Sequence, residues 1–209
     1  MENGQMKRYL GADQDIEKRV KTHLFVIGPN QSGSTFVTRA IERCSATWSM
    51  AREGQHMLGY HGPDTLHHDI ALTWASSSKS VDFMRSRANY NWGKTRKAWY
   101  FQAQAARQDA SIFVTKSPPF LLIADQLAEH FKQVRFLFLI RNPYAVVEGI
   151  CRRTIEQESE RAEALRLAAE HIMTCFEYQK QNIETYRSTG LFLSYEKICS
   201  QPLESGRKV

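Results

Sequence analysis

The chain has 209 residues, 42% of them hydrophobic and 24% charged, which suits one folded domain and excludes a disordered or fibrous protein. Its net charge of +6 favours an anionic ligand. The basic residues are spread along the chain without an RNP, zinc-finger or helix-turn-helix pattern, so no nucleic-acid partner is expected. No apolar run approaches the roughly 20 residues of a membrane span, and the first residues do not read as a signal peptide. The single cysteines Cys44, Cys151, Cys175 and Cys199 form neither a metal pair nor a disulfide framework, so a reduced cytoplasmic protein without a membrane anchor is expected.

Residues 1–22 read as a polar extension and residues 23–209 as a single domain. The run His23-Leu-Phe-Val-Ile-Gly28 is apolar and ends in Gly-Pro, which predicts a buried strand feeding a turn, with a helix over about residues 34–44 after it. Residues 53–109, rich in His, Trp, Tyr and Gly, have weak periodicity and read as an insertion of helices and loops above a sheet edge. Apolar runs at 111–116, 134–140 and 191–194 predict further strands.

Between the first two of these, Pro118-Pro119 opens a helical pattern through Leu121, Leu122, Ala124, Leu127, Ala128 and Phe131. Pro143 starts another helix. Leu165, Ala168, Ala169, Ile172, Cys175, Phe176 and Ile183 mark one face of a long amphipathic helix. Strands alternating with helices predict an α/β fold of three layers, a parallel sheet flanked by helices on both faces.

Gly28-Pro-Asn-Gln-Ser-Gly-Ser-Thr35 has the glycine spacing of a phosphate-binding loop, between a predicted strand and a predicted helix as the mechanism requires. Glycines let the backbone curl so that its N–H groups and the helix N-terminus face an anion, and Ser34 and Thr35 add hydroxyl donors. A nucleoside triphosphate loop needs a lysine where Ser34 stands, which counts against a kinase or GTPase. The loop ending instead resembles the 5′-phosphosulfate loop of the sulfotransferases, closer to the Golgi, tyrosylprotein-type and bacterial branches than to the cytosolic one. That family has a basic residue where this chain has Gln31.

Leu137-Phe-Leu-Ile-Arg141-Asn-Pro143 is a strand ending in arginine at the edge where open α/β sheets bind ligands. On its own this is equally a solvated charge. The resemblance extends to this segment and implies that Arg141 binds the 3′-phosphate of 3′-phosphoadenosine-5′-phosphosulfate (PAPS), or of its product 3′,5′-adenosine bisphosphate (PAP). The family's partner serine is replaced by Gly149. Arg153, four residues on, shares the helix face of Gly149, whereas Arg152 points about 100° away.

Val114-Thr-Lys116-Ser-Pro-Pro119 is a third match, implying that Lys116 contacts the bridging or sulfuryl oxygens. The implied cofactor-binding set is Gln31, Ser32, Gly33, Ser34, Thr35, Arg141, Gly149 and Arg153. The implied architecture is the P-loop-type sulfotransferase fold, abbreviated at the C-terminus, with the insertion facing a small-molecule or glycan hydroxyl.

Sulfuryl transfer needs in-line geometry, charge stabilisation and a base for the acceptor's proton, and no metal. By resemblance the base is Glu53, after a second strand near residues 46–50. His56 competes, since an imidazole titrates near pH 6.5 without tuning. His61, His67, His68 and Asp69 lack the spacing of a metal site. Trp74, Tyr90, Trp92, Trp99 and Tyr100 suit either stacking on an acceptor or packing of the insertion. Tyr195-Glu196, which also resembles a family motif, reads as structural. Two alternatives remain open at this level: a degenerate PAP-binding protein, motivated by Gln31 and Gly149, and a small-molecule kinase with a variant loop.

Overall fold

The computed structural model describes residues 18–50, 53–54, 72–104, 110–155 and 160–209. Five parallel strands form one sheet: β1 (Thr22–Ile27), β2 (Thr47–Ser49), β3 (Ile112–Lys116), β4 (Val134–Ile140) and β5 (Gly190–Ser194), in the order β2-β3-β1-β4-β5. α1 (Ser34–Ile41) follows β1. α2 (Ser78–Arg85) and α3 (Trp92–Gln104) lie between β2 and β3, α4 (Ala124–His130) between β3 and β4, and α5 (Pro143–Thr154) and α6 (Arg161–Thr185) between β4 and β5. The short α7 (Tyr195–Ser200) and α8 (Pro202–Gly206) close the chain.

The expected α/β fold is therefore observed. Strand parity divides its core. Phe25 and Ile27 of β1, Phe113 of β3 and Phe136 and Phe138 of β4 face an aromatic layer with Trp48, Trp99, Phe120 and Phe131. Val26, Val114, Leu137, Leu139 and Leu193 face an aliphatic layer closed by Val37 of α1. Strands buried on both faces need near-continuous apolar runs, which explains their sequence pattern.

Three expected features differ in detail. α1 stops at Ile41 in place of residue 44, and the pattern from Pro118 is a 3-10 turn (Pro118–Leu122) broken from α4 at Ile123. Leu165, expected on the buried face of α6, is 43% exposed, because its side of the helix borders an open groove against α5. The aromatic residues of the insertion pack into the core: Trp74, Tyr90, Trp92, Trp99 and Tyr100 are all buried. Trp99 alone contacts the rings of Phe25, Trp92, Phe113, Phe120 and Phe131.

α6 carries a buried histidine with a consequence for stability. His171 Nδ1 accepts a hydrogen bond from the Ala75 amide at 3.0 Å, and its ring meets Trp74 edge-on at 4.9 Å. Burial lowers its pKa to about 4, so the folded ring is neutral at pH 7. An unfolded histidine titrates near 6.5. Above that pH neither state binds the proton; between 6.5 and about 4 only the unfolded chain does, so stability falls as pH falls. Denaturant melts between pH 6.5 and 4.5 should lose ~2–3 kcal/mol from this group. His171→Asn should show a shallower pH dependence, and equal slopes in the two proteins would refute the assignment.

Candidate active site at the carboxyl edge of the sheet

Parallel strands bring all their carboxyl ends to one edge. The chain leaves β1 toward β2 and β3, then crosses back to β4 and β5, so the edge of β1 is the switch point where such sheets bind ligands. The loop of residues 28–33 leaves this point. A Cβ at Gly28 would lie 2.8 Å from Ser32 Oγ and 2.9 Å from the Leu139 carbonyl oxygen, so only glycine lets the loop fold back against β4.

Gln31 (φ 61°) and Gly33 (φ 89°) have left-handed backbone, the second as the N-cap of α1. A glycine cap leaves the first amides of α1 uncovered by any capping side chain, the condition for an anion seat. Ser34, the first residue of α1, is buried and Thr35 is exposed. Ser32 Oγ is buried with no hydrogen-bond partner among the described residues. A curled backbone, a helix N-terminus and an orphaned hydroxyl together form a cradle able to seat an anion.

Arg141 is the first residue after β4. Its Nη1 donates to the Gln31 carbonyl oxygen at 2.8 Å, and its guanidinium lies 4.9 Å from the centre of the Tyr195 ring. The arginine thus joins the cradle to the end of β5 and is more than a solvated strand-end charge. Tyr195 also packs on Gly33, where a Cβ would come within 2.3 Å of the ring. Next to it, Glu196 Oε1 accepts from the Asn142 amide at 2.8 Å, while the Asn142 side chain caps α5. Tyr195 therefore braces both the loop and Arg141, and Glu196 braces the turn at Asn142 that follows Arg141.

Gly149 faces the cradle from α5. A Cβ there would sit 3.3 Å from Gln31 Cγ and 3.5 Å from Gln31 Oε1. Arg153 is exposed one turn further on, and Arg152 pairs with Glu148 at 3.2 Å on the helix surface. A cleft of about 760 Å³ opens beside Arg141, bounded by Asn142, Tyr144, Tyr195, Glu196 and Cys199.

The other half of the site lies beyond β3. Lys116 ends that strand in register with Val26 of β1, and its ammonium donates to Glu53 Oε1. The two side chains are only 14% and 27% exposed, so the pair is partly shielded from water. Glu53 is held through its neighbour: the Gly54 carbonyl accepts from Trp99 Nε1 at 3.1 Å. A Cβ at Gly54 would strike Phe120 Cζ at 2.4 Å. His56 lies outside the described residues, as do His61, His67, His68 and Asp69.

Two contributors escape a reading of the sequence. Phe36, although large and apolar, is 55% exposed beside the cradle and meets Tyr195 edge-on at 6.3 Å; the signal available was its place immediately after Ser34-Thr35. Trp74 Nε1 donates to Asn30 Oδ1 at 2.9 Å, pinning the loop to the insertion and, through His171, to α6. No local pattern announces that contact.

The sequence profile described as the sulfotransferase family matches residues 23–209. The chain belongs to the sulfotransferase family. A sulfotransferase of Mycobacterium tuberculosis superimposes with a TM-score of 0.70 at 13% identity, covering 98% of this chain and 69% of that one. One from Mycobacterium avium gives 0.66 at 13% identity, over 98% and 67%. The sulfotransferase domain of a Synechococcus olefin synthase gives 0.58 at 16% identity, over 90% and 71%. At these identities the likeness is one of fold. No curated protein matches the sequence significantly.

For a sulfotransferase the edge divides usefully. On the β4 and β5 side are a cradle for an anion and a half-buried arginine. On the β3 side are a shielded carboxylate and ammonium in contact. Among the described residues no helix is long and apolar enough to cross a membrane.

Proposed function

We propose that this sulfotransferase, acting as one domain over residues 23–209 in the cytoplasm, moves the sulfuryl group of PAPS to a hydroxyl of a small-molecule or glycan acceptor by in-line displacement. The bond from Arg141 to the Gln31 carbonyl carries the proposal, because it joins a phosphate cradle and a second phosphate-binding cation within reach of one doubly phosphorylated nucleotide. The residues fit that nucleotide: Gly28 and Gly33 let the loop curl tightly against β4 and Tyr195 with no side-chain cap on α1, and the buried Ser32 hydroxyl lacks a partner among the described residues.

Gly33, Ser34 and Thr35, with Ser32, hold the 5′-phosphosulfate through amides and hydroxyls. Arg141 holds the 3′-phosphate, with Arg153 approaching along α5. The exposed ring of Phe36 offers the adenine a face on which to stack. When bound, the nucleotide supplies the sulfuryl group. Lys116 stabilises charge on the leaving side as it turns from Glu53, and the released Glu53 carboxylate accepts the proton of the acceptor hydroxyl. With Gln31 uncharged, Lys116 is the cation that the site brings to the sulfuryl.

Calorimetry with PAP, paired with transfer of labelled sulfate from PAPS to a panel of hydroxyl acceptors, tests this reading. Binding together with transfer is the expected result. Binding without transfer to any acceptor would point to the degenerate alternative, and Mg²⁺-dependent ATP turnover would overturn the account in favour of a kinase.

A further inference from the structure

Gln31 stands at the loop position where the family pattern puts a cation for the phosphosulfate, yet its side chain runs the other way. Its φ of 61° is costly for a residue with a Cβ, and such a conformation persists only when its surroundings fix it. Here Arg141 does so, by donating to the Gln31 carbonyl at 2.8 Å. The turn carries the Gln31 side chain onto α5, where Cγ, Cβ and Oε1 lie 3.3 to 3.5 Å from the position of a Cβ on Gly149.

The absence of a side chain at Gly149 lets Gln31 lie against α5 unshifted. A serine there would put its Cβ 3.3 Å from Gln31 Cγ, tight enough that Gln31 must give by a few tenths of an ångström. The two departures from the family pattern are thus one local exchange: the side chain missing from α5 is replaced by one reaching across from the loop. A carboxamide offers two N–H donors where a hydroxyl offers one.

Resting on the PAPS reading above, we infer that Gln31 acts beside Arg141 as a 3′-phosphate contact and specificity determinant, taking the place of the hydroxyl absent at Gly149, and not as a ligand of the phosphosulfate. Gln31 then helps the site distinguish nucleotides that carry a 3′-phosphate from those that do not. Gln31 and Gly149 work as a pair in which either change alone is unfavourable and the two together are tolerated.

Titration calorimetry of the full chain with PAP and with 5′-AMP tests this. Gln31→Ala should weaken PAP by about tenfold to a hundredfold, the worth of one hydrogen bond to a charged group, and leave 5′-AMP within about twofold. Retained 5′-AMP binding shows that the variant is folded. Adding Gly149→Ser to Gln31→Ala should recover most of the lost PAP affinity. Equal losses for both nucleotides, unchanged PAP affinity, or no recovery in the double variant would each overturn the inference. Failure of the wild-type chain to bind PAP at all would remove the PAPS reading itself, a result distinct from any of these.

Discussion

Glu53→Gln should lower kcat by about 10²- to 10⁴-fold, the usual contribution of a positioned base, with PAP affinity nearly unchanged. The amide keeps the shape of the carboxylate and can still accept a hydrogen bond from Lys116, so the loss would report the missing proton acceptor and not a collapsed site. Lys116→Ala should also depress kcat more than it raises KM, because its charge is used on oxygens that gain negative charge only as the sulfuryl leaves. A pH–rate profile separates the two candidate bases. If Glu53→Gln retains its activity within about tenfold while His56→Ala loses the acidic limb of the profile, the base is His56 and the role given to Glu53 is wrong.

Arg141→Ala should weaken PAP by about tenfold to a hundredfold, from ~1.5–3 kcal/mol for hydrogen bonds to a charged group. Part of the loss is indirect, since the bond that holds Gln31 in its left-handed turn goes with the guanidinium. Arg141→Lys should recover little. An ammonium keeps the charge but lacks the planar fork that can meet a phosphate and a carbonyl together, and it stacks less well on Tyr195. A loss below about 1 kcal/mol for Arg141→Ala would sink the 3′-phosphate assignment.

What could be read from the sequence was what is locally encoded. The cradle follows from the spacing of Gly28 and Gly33 and from the apolar strand before them. The strand end at Arg141 follows from the charge that terminates an apolar run and the Asn142-Pro143 pair that caps and opens α5. The strands were legible because burial on both faces leaves long β-branched and aromatic runs. β2, only three residues long, is too short to show a period and was implied by resemblance alone.

The rest depends on contacts distant in sequence. The burial of Trp74, Tyr90, Trp92, Trp99 and Tyr100 could not be separated from ligand stacking, because aromatic side chains serve both uses and only the tertiary packing decides between them. The left-handed turn at Gln31 is braced at its carbonyl by Arg141, 110 residues away, and motif spacing carries no information about it. Leu165 matched the apolar stripe of α6, but the groove beside it is open, and periodicity records a face without recording what covers it.

The bond from Trp99 to the Gly54 carbonyl has a further meaning for how this protein can vary. The carboxylate end of the site is mounted on the aromatic layer, whereas Arg141 and the cradle are braced by Tyr195 and Glu196 after β5. The two mountings meet at one place, the bond from Trp74 of the same aromatic layer to Asn30 of the loop. Repacking around Trp99 and Phe120 would therefore reach the Glu53 carboxylate directly and the loop only through that bond.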